Sequence, residues 1–271
     1  MHVPPALLPP RPGPAAAALG AARVAAVLAL LVVGTVAVLA AALVPLRVRG
    51  VRLAVWAAVA LSRALLGAMG VRLRVDRPDA LRRHRGFVFF NHLSYLDPLV
   101  LLATAPLRFL STQGVRSIPL VGWTAAALGT LFVNRGRDES REAARRALRA
   151  AVRESPTPVA LAPEGRIGPG PGVLPFRRGA FEVAADAEAP VLLVALRFAP
   201  HPYALWADGE WLLRAVWRLC ARRGPFTATV TPLPPSLRAG RSPADAAAEA
   251  ERRLDRFLRT EPAPPAVRAA A

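Results

Sequence analysis

The sequence predicts an α/β fold, a mixed and largely parallel sheet flanked by helices, with a membrane helix at its N-terminus. Three observations predict it. From residue 71 onward, short strand-like runs alternate with helical patterns, as a parallel sheet with crossover helices reads. One run, Pro190–Leu196, is apolar throughout, as a strand buried on both faces must be. Val24–Val44 carries no charge, and at ~1.5 Å per residue such a helix is about 31 Å long, matching a hydrocarbon core of ~30 Å.

The chain divides into four stretches. Residues 1–23 are rich in Pro and Ala without periodic pattern and read as a disordered leader. Residues 24–70 form the membrane-anchoring helical segment, 71–236 the α/β domain, and 237–271 a C-terminal helix and tail. A cleaved signal peptide competes for Val24–Val44, but its apolar region would run only about 7–15 residues. Arg47, Arg49 and Arg52 follow the apolar segment, against Arg11 and Arg23 before it. This bias predicts a single anchor in the cell membrane with the remaining chain on the cytoplasmic face. Val51–Gly70, interrupted by Arg52 and Arg63, reads as an interfacial or re-entrant helix.

Composition narrows the function classes. A net charge of +18 invites a nucleic-acid reading, yet the cations are spread through a chain that is 54% hydrophobic, with no nucleic-acid motif. An anionic bilayer explains them more simply. Cys220 is the one cysteine, which excludes an internal disulfide. Besides His92 there are three histidines in unpatterned positions, so no metal site is expected.

In order, Val71–Val75 alternates like a half-buried strand, and Gly86–Phe90 has strand composition. Asn91-His92-Leu93-Ser94-Tyr95-Leu96-Asp97-Pro98 follows. Pro98 suits the first position of a helix, with Asp97 as its N-cap. In a continuous helix, residues five apart diverge by about 140°, so His92 and Asp97 meet only across a strand-turn-helix. There the carboxylate orients one imidazole nitrogen and leaves the other free to take a proton. Ser94 invites a hydrolase triad, but no Gly-x-Ser-x-Gly elbow surrounds it.

Further strands are expected at Arg108–Ser111 and within Gly129–Arg135. Asp138 begins a helix with Ala144, Leu148, Ala151 and Val152 on one face and solvated arginines on the other. Pro158–Ala162 delivers Pro163-Glu164-Gly165-Arg166, and a Gly/Pro loop leads to Leu174-Pro175-Phe176-Arg177-Arg178-Gly179. A helix over 181–188 and the Pro190–Leu196 strand come next. Trp206–Arg222, with three tryptophans, reads as a core helix or a membrane-interface helix. Phe226–Thr231 is a last strand, and Ser242 caps a helix to about Leu258.

Four of these segments, in order, resemble the motifs of the glycerophospholipid acyltransferase family, whose best-known members acylate lysophosphatidic acid (1-acyl-sn-glycerol-3-phosphate). They are Asn91-His92-x4-Asp97, Gly129–Arg135, Pro163-Glu164-Gly165 with Leu174–Gly179, and Ala189–Leu196. The resemblance covers Gly86–Arg197 and implies a glycerolipid acyltransferase-like fold. It makes His92 the base and Asp97 its partner, and it assigns Arg135, Glu164, Gly165 and Arg166 to the acceptor's polar head. The family usually has Thr then Arg after Glu-Gly, whereas Arg166 follows Gly165 directly. His201–Leu219 is loosely similar to a subgroup associated with lyso-ornithine lipid acyltransferases.

The implied reaction moves a fatty acyl group from acyl-CoA or acyl carrier protein to a lysophospholipid hydroxyl. Phosphatidic acid is the leading product and an ornithine lipid the alternative. The expected partners are membrane lipids, the lysolipid acceptor and the acyl donor; no cofactor and no nucleic acid are expected. A non-catalytic lipid-binding protein is the alternative of another class, and the intact His92 and Asp97 count against it.

Overall fold

A seven-stranded sheet in the order β3-β9-β8-β4-β7-β5-β6 organises the chain. Its strands are β3 (Val71–Val75), β4 (Phe87–Phe90), β5 (Arg108–Thr112), β6 (Leu131–Val133), β7 (Val159–Leu161), β8 (Val191–Ala199) and β9 (Phe226–Leu237). Neighbours run parallel except β8 and β9, which are antiparallel. A separate two-stranded ribbon joins β1 (Arg47–Val48) to β2 (Val51–Arg52). The computed structural model describes residues 8–134, 136, 138–168, 170, 172–206, 210–237 and 242–260.

Strand alternation divides the core into two layers. In β4 every residue is buried. Val88 and Phe90 face α1 (Pro14–Leu43), α2 (Leu53–Ala68), α4 (Asp97–Thr104) and α9 (Leu212–Cys220). Phe87 and Phe89 face α7 (Asp138–Glu154), α8 (Arg178–Asp186) and α10 (Pro243–Thr260). Among the described residues there are also the short helices α3 (Pro78–Arg83), α5 (Gln113–Arg116) and α6 (Val121–Ala127) and a 3-10 turn at His201–Tyr203. Burial on both faces explains the uninterrupted apolar run of β8.

The N-terminal half differs from the sequence expectation in two respects. Helix α1 begins at Pro14, inside the stretch expected to be a leader. Proline fits the first helical turn and alanine has the highest helix propensity, so that composition favours a helix once it has something to pack on. It packs through small residues. A side-chain carbon on Gly20 would lie 2.8 Å from Ala221 Cβ, and one on Gly34 would lie 2.2 Å from Leu61 Cδ1. Thr35, buried, hydrogen-bonds Thr124 of α6 at 3.0 Å. Helix α2 is a packing helix rather than an interfacial one, with Ala54, Val55, Ala58, Val59, Leu61, Ser62, Leu65 and Leu66 buried. The opposite face of α1 exposes Leu28, Val32, Val33, Val36, Leu39 and Leu43. That long apolar helix is a candidate membrane anchor.

Later elements follow the expected order with shifted ends. The Trp206–Arg222 helix is confined to Leu212–Cys220; Trp206 precedes it, and Trp211, at its N-cap, is 83% exposed. Strand β9 runs on to Leu237. Ser242 does cap α10, accepting Asp245 N–H at 3.1 Å while its hydroxyl donates to the Asp245 carboxylate. On α7, Ala144, Leu148 and Ala151 are buried as expected. Its arginines are less free than a solvated face implies, because Arg145 meets Glu182 and Arg149 meets Asp186, each at 2.9 Å. Such partly exposed pairs are worth about 0–1 kcal/mol each and align α7 with α8.

Candidate active site

The site begins where β4 ends. The Asn91 side chain behaves like one more strand residue: its Nδ2–H donates to Leu196 O at 3.0 Å and its Oδ1 accepts Leu196 N–H at 2.7 Å. The backbone is thereby released into a turn while remaining tied to β8. Asp97 then closes the turn. Its Oδ2 accepts Leu93 N–H at 2.8 Å, Ser94 N–H at 3.0 Å and His92 Nδ1 at 2.7 Å. Asp97 is the first residue of α4 rather than its N-cap, and no side chain caps that helix. The carboxylate turns back because the turn offers it three donors, one of them an imidazole.

This geometry favours one tautomer of a neutral His92. An oxygen already accepting two main-chain N–H groups is an acceptor, so Nδ1 carries the hydrogen and Nε2 presents a lone pair. The His92 side chain is 25% exposed, and Asp97 is fully buried. Asp97 Oδ1 is buried with no partner among the described residues. The turn is braced from behind. Ser94 Oγ donates to Ala204 O at 2.7 Å and is buried, so it is no nucleophile. Tyr95 donates to Ala215 O in α9 at 3.1 Å and meets Trp206 edge-on.

Glu164 leaves the end of β7, the strand beside β4. Its Oε1 accepts His92 N–H at 2.8 Å, and its Oε2 accepts Leu174 N–H at 2.9 Å. Gly168 N–H donates to His92 O at 2.7 Å. Both main-chain polar groups of His92 are therefore held by the loop after β7. The sequence resemblance put Glu164 among the acceptor ligands; in the fold both carboxylate oxygens are occupied by the protein's own backbone. Burial pushes its pKa up to about 7, against the opposing pull of the Leu174 and His92 N–H groups.

That elevation has a sign. A carboxyl group whose folded pKa lies above its usual 4.5 contributes stability that is complete below 4.5 and is lost as pH rises through about 7. Glu164→Gln cannot ionise, and its amide must turn an N–H toward one of two main-chain donors. A buried donor left unpaired costs about 1–3 kcal/mol. The unfolding midpoint of the native chain should fall between pH 4.5 and about 7, whereas that of Glu164→Gln should start lower and stay flatter. Parallel profiles from thermal unfolding would contradict this assignment.

The remaining sequence candidates are placed as follows. Gly165 has φ +72°, and a side-chain carbon there would lie 2.8 Å from Arg177 Nε, so glycine admits the Arg177 side chain over the loop. Arg166 is exposed on the same loop. Arg135 lies outside the described residues. His92, Asp97, Glu164 and Gly165 thus come together at the carboxyl ends of β4 and β7, where α/β sheets build their sites.

Sequence reasoning missed two neighbours. Arg177 was visible only as part of a motif. His201 was visible only as the first residue of a loosely similar segment. Its Nε2 is buried with no partner among the described residues, 3.0 Å from where a side-chain carbon on Gly170 would sit, beside Leu93. Burial lowers its pKa, opposed by the Asp97 charge. Among the described residues no group of three or more His, Cys, Asp or Glu side chains could hold a metal ion.

The class these features define is an α/β domain with a His-Asp pair at its strand ends, and residues 72–197 match the family model described as Acyltransferase. Through that domain the chain is similar to acyltransferases of the lysophosphatidic acid type. It is 35% identical over 142 residues to a 1-acyl-sn-glycerol-3-phosphate acyltransferase of Neisseria gonorrhoeae, covering 52% of this chain and 55% of that one. It is 53% identical over 51 residues to a lyso-ornithine lipid O-acyltransferase of Pseudomonas aeruginosa, covering 19% and 20%. The fold is similar to that of the 1-acyl-sn-glycerophosphate acyltransferase PlsC of Thermotoga maritima, with TM-score 0.61, 18% identity, and 78% and 82% of the two chains covered. The chain spans about half the length of the first of these curated relatives.

Proposed function

We propose that the protein transfers a fatty acyl group from a thioester, acyl-CoA or acyl carrier protein, to the free hydroxyl of a lysophospholipid, with 1-acyl-sn-glycerol-3-phosphate as the leading acceptor. The observation that carries this reading is the 2.7 Å contact of His92 Nδ1 with Asp97, which leaves Nε2 free on a partly exposed ring. An alcohol is a weak nucleophile until its proton is removed, and imidazole exchanges protons near neutrality. In the proposed step His92 Nε2 takes the hydroxyl proton as the oxygen attacks the thioester carbonyl. The tetrahedral oxyanion then collapses, an ester C–O bond replaces the C–S bond, and the departing sulfur takes the proton from the imidazolium. Asp97 stabilises that imidazolium, and Glu164 holds the His92 backbone in place.

No cofactor takes part in this scheme. Arg135, Arg166 and Arg177 are the cations we assign to the acceptor head group, with Gly165 leaving room for Arg177. Acyl transfer to a panel containing lysophosphatidic acid and lyso-ornithine lipid tests the reaction and separates the two acceptors. The second acceptor is favoured by the 51-residue match to a protein named for it. Transfer to neither would end the reading and favour a non-catalytic lipid-binding role.

We also place the exposed face of α1 in the bilayer as the anchor, with the catalytic domain on the cytoplasmic side, where acyl thioesters are supplied. A cysteine placed beside His92 should resist a membrane-impermeant label in intact cells; efficient labelling would overturn this orientation. For the head group, one charge-assisted hydrogen bond is worth about 1.5–3 kcal/mol, so Arg135→Ala should weaken acceptor use roughly 10- to 150-fold. Arg146, 63% exposed on α7, provides the comparison. Equal kinetics for Arg135→Ala and Arg146→Ala in detergent micelles would remove Arg135 from the acceptor site.

A further inference from the structure

Arg23 is the last charged residue before the uncharged stretch of α1, and Arg222 lies just beyond the end of α9. The final carbonyls of a helix need donors, and these two arginines supply them. Arg222 donates from Nη1 to Leu219 O at 3.2 Å, from Nε to Gly224 O at 2.9 Å and from Nη2 to Gly70 O at 2.8 Å. Arg23 Nη1 donates to Cys220 O and Arg222 O, each at 3.0 Å. A side-chain carbon on Gly70 would sit 2.8 Å from Arg23 Nη2 and 3.4 Å from Arg222 Nη2, so the two guanidinium groups meet across Gly70.

Their charges are not balanced. Arg222 is only 3% exposed, and neither arginine pairs with a carboxylate among the described residues. Burial first, and Arg23 second, pull the Arg222 pKa down to about 10. The other groups acting on it are Tyr203, Cys220 and Tyr95, and the Phe226 ring centroid lies 5.0 Å from its guanidinium carbon; none of these carries a charge. The carboxyl ends of α9 and α2 each offset about half a charge. About one positive charge is left over.

The location supplies the occupant. Val71 pairs with Phe226, and Thr227 with Ala199, so Gly70 lies at the same end of the sheet as His92. Across the sheet it is three strand positions from β4, about 14 Å at ~4.8 Å per strand, and it lies further along the strand direction by about five residues. The apolar outer face of α1 begins just past Arg23, which puts both guanidinium groups at head-group level if that face lies in lipid. We infer that Arg23, with the buried charge of Arg222 behind it, forms a binding site for the phosphate of an anionic membrane phospholipid, separate from the acceptor site at His92. The inference rests on the membrane placement of α1 made above.

The test uses the full chain with vesicles of phosphatidylcholine alone or of equimolar phosphatidylglycerol and phosphatidylcholine, and with short-chain forms of each lipid in detergent. Short-chain phosphatidylglycerol should raise the unfolding midpoint of the native chain and of Arg11→Gln, a variant with the same charge loss outside the site. Arg23→Gln should bind that lipid roughly 10- to 150-fold more weakly, as the loss of one charge-assisted contact predicts. Arg23→Lys, which keeps the charge, should fall between. Equal losses in Arg11→Gln and Arg23→Gln would mean general attraction to the surface and overturn the site, as would an equal response to inorganic phosphate. Should Arg23→Gln not fold, native mass spectrometry of the unaltered chain decides: retention of phosphatidylglycerol over phosphatidylcholine supports the site, and no preference overturns it. A chain that sediments with neither vesicle would remove the membrane placement and this site together; one that sediments without lipid preference would remove the site alone.

Discussion

Replacing His92 by alanine is expected to lower turnover roughly 10²–10⁴-fold while leaving sedimentation with vesicles unchanged. At about 1.36 kcal/mol per factor of ten, this corresponds to about 2.7–5.5 kcal/mol of transition-state stabilisation. The fold should survive the change. The side chain is partly exposed, and the main-chain groups of His92, held by Glu164 and Gly168, are unaffected by truncation. Circular dichroism and the unfolding midpoint establish that point before kinetics are read. A folded His92→Ala protein with near-native turnover would rule the base mechanism out, whatever the acceptor.

Asp97→Asn is expected to be nearly as damaging, by a different route. Asp97 Oδ2 collects three donors, and an asparagine oxygen in that place can keep the Leu93 and Ser94 N–H groups. A neutral amide does not support an imidazolium, so the charge that develops on His92 during proton transfer loses its partner in a fully buried place. In the flipped orientation the amide N–H groups face three donors, and the imidazole is driven to its other tautomer. Either outcome costs roughly 10²–10⁴-fold in turnover, by analogy with the same exchange in hydrolase triads. The KM for the lysolipid should move little, because Asp97 does not reach solvent. A folded Asp97→Asn variant keeping half its turnover, or one losing only acceptor affinity, would show that the carboxylate merely shapes the turn.

Glu164 illustrates why a motif does not assign a role. Its place after a short apolar strand was legible, because Val159–Leu161 is followed by Pro163 and Gly165. Its partners were not. They are the N–H groups of His92 and Leu174, 72 and 10 residues away, brought there by the pairing of β4 with β7 and by the loop's return. Main-chain donors carry no residue identity, so no sequence pattern records them. The place of His201 was illegible for a similar reason, since only the packing of its turn beside Gly170 puts it near Leu93.

By itself the sequence determined the α/β class, the order of most strands and helices, and the pairing of His92 with Asp97. These follow from local physics: apolar periodicity, strand-like runs, proline at a helix start, and a spacing that brings two side chains together only across a turn. Tertiary structure alone decided the rest. It placed α1 from Pro14 against α2, α6 and α9, because helices meet where Gly20 and Gly34 allow close approach. It shortened the tryptophan-rich helix and turned the Asp97 carboxylate back to the turn instead of capping α4. It also brought Arg23 and Arg222 together across Gly70, although 199 residues separate them. The physical reason is common to all of these. Long-range contacts depend on which main-chain groups remain unpaired when the sheet is complete, and that is a property of the assembled fold.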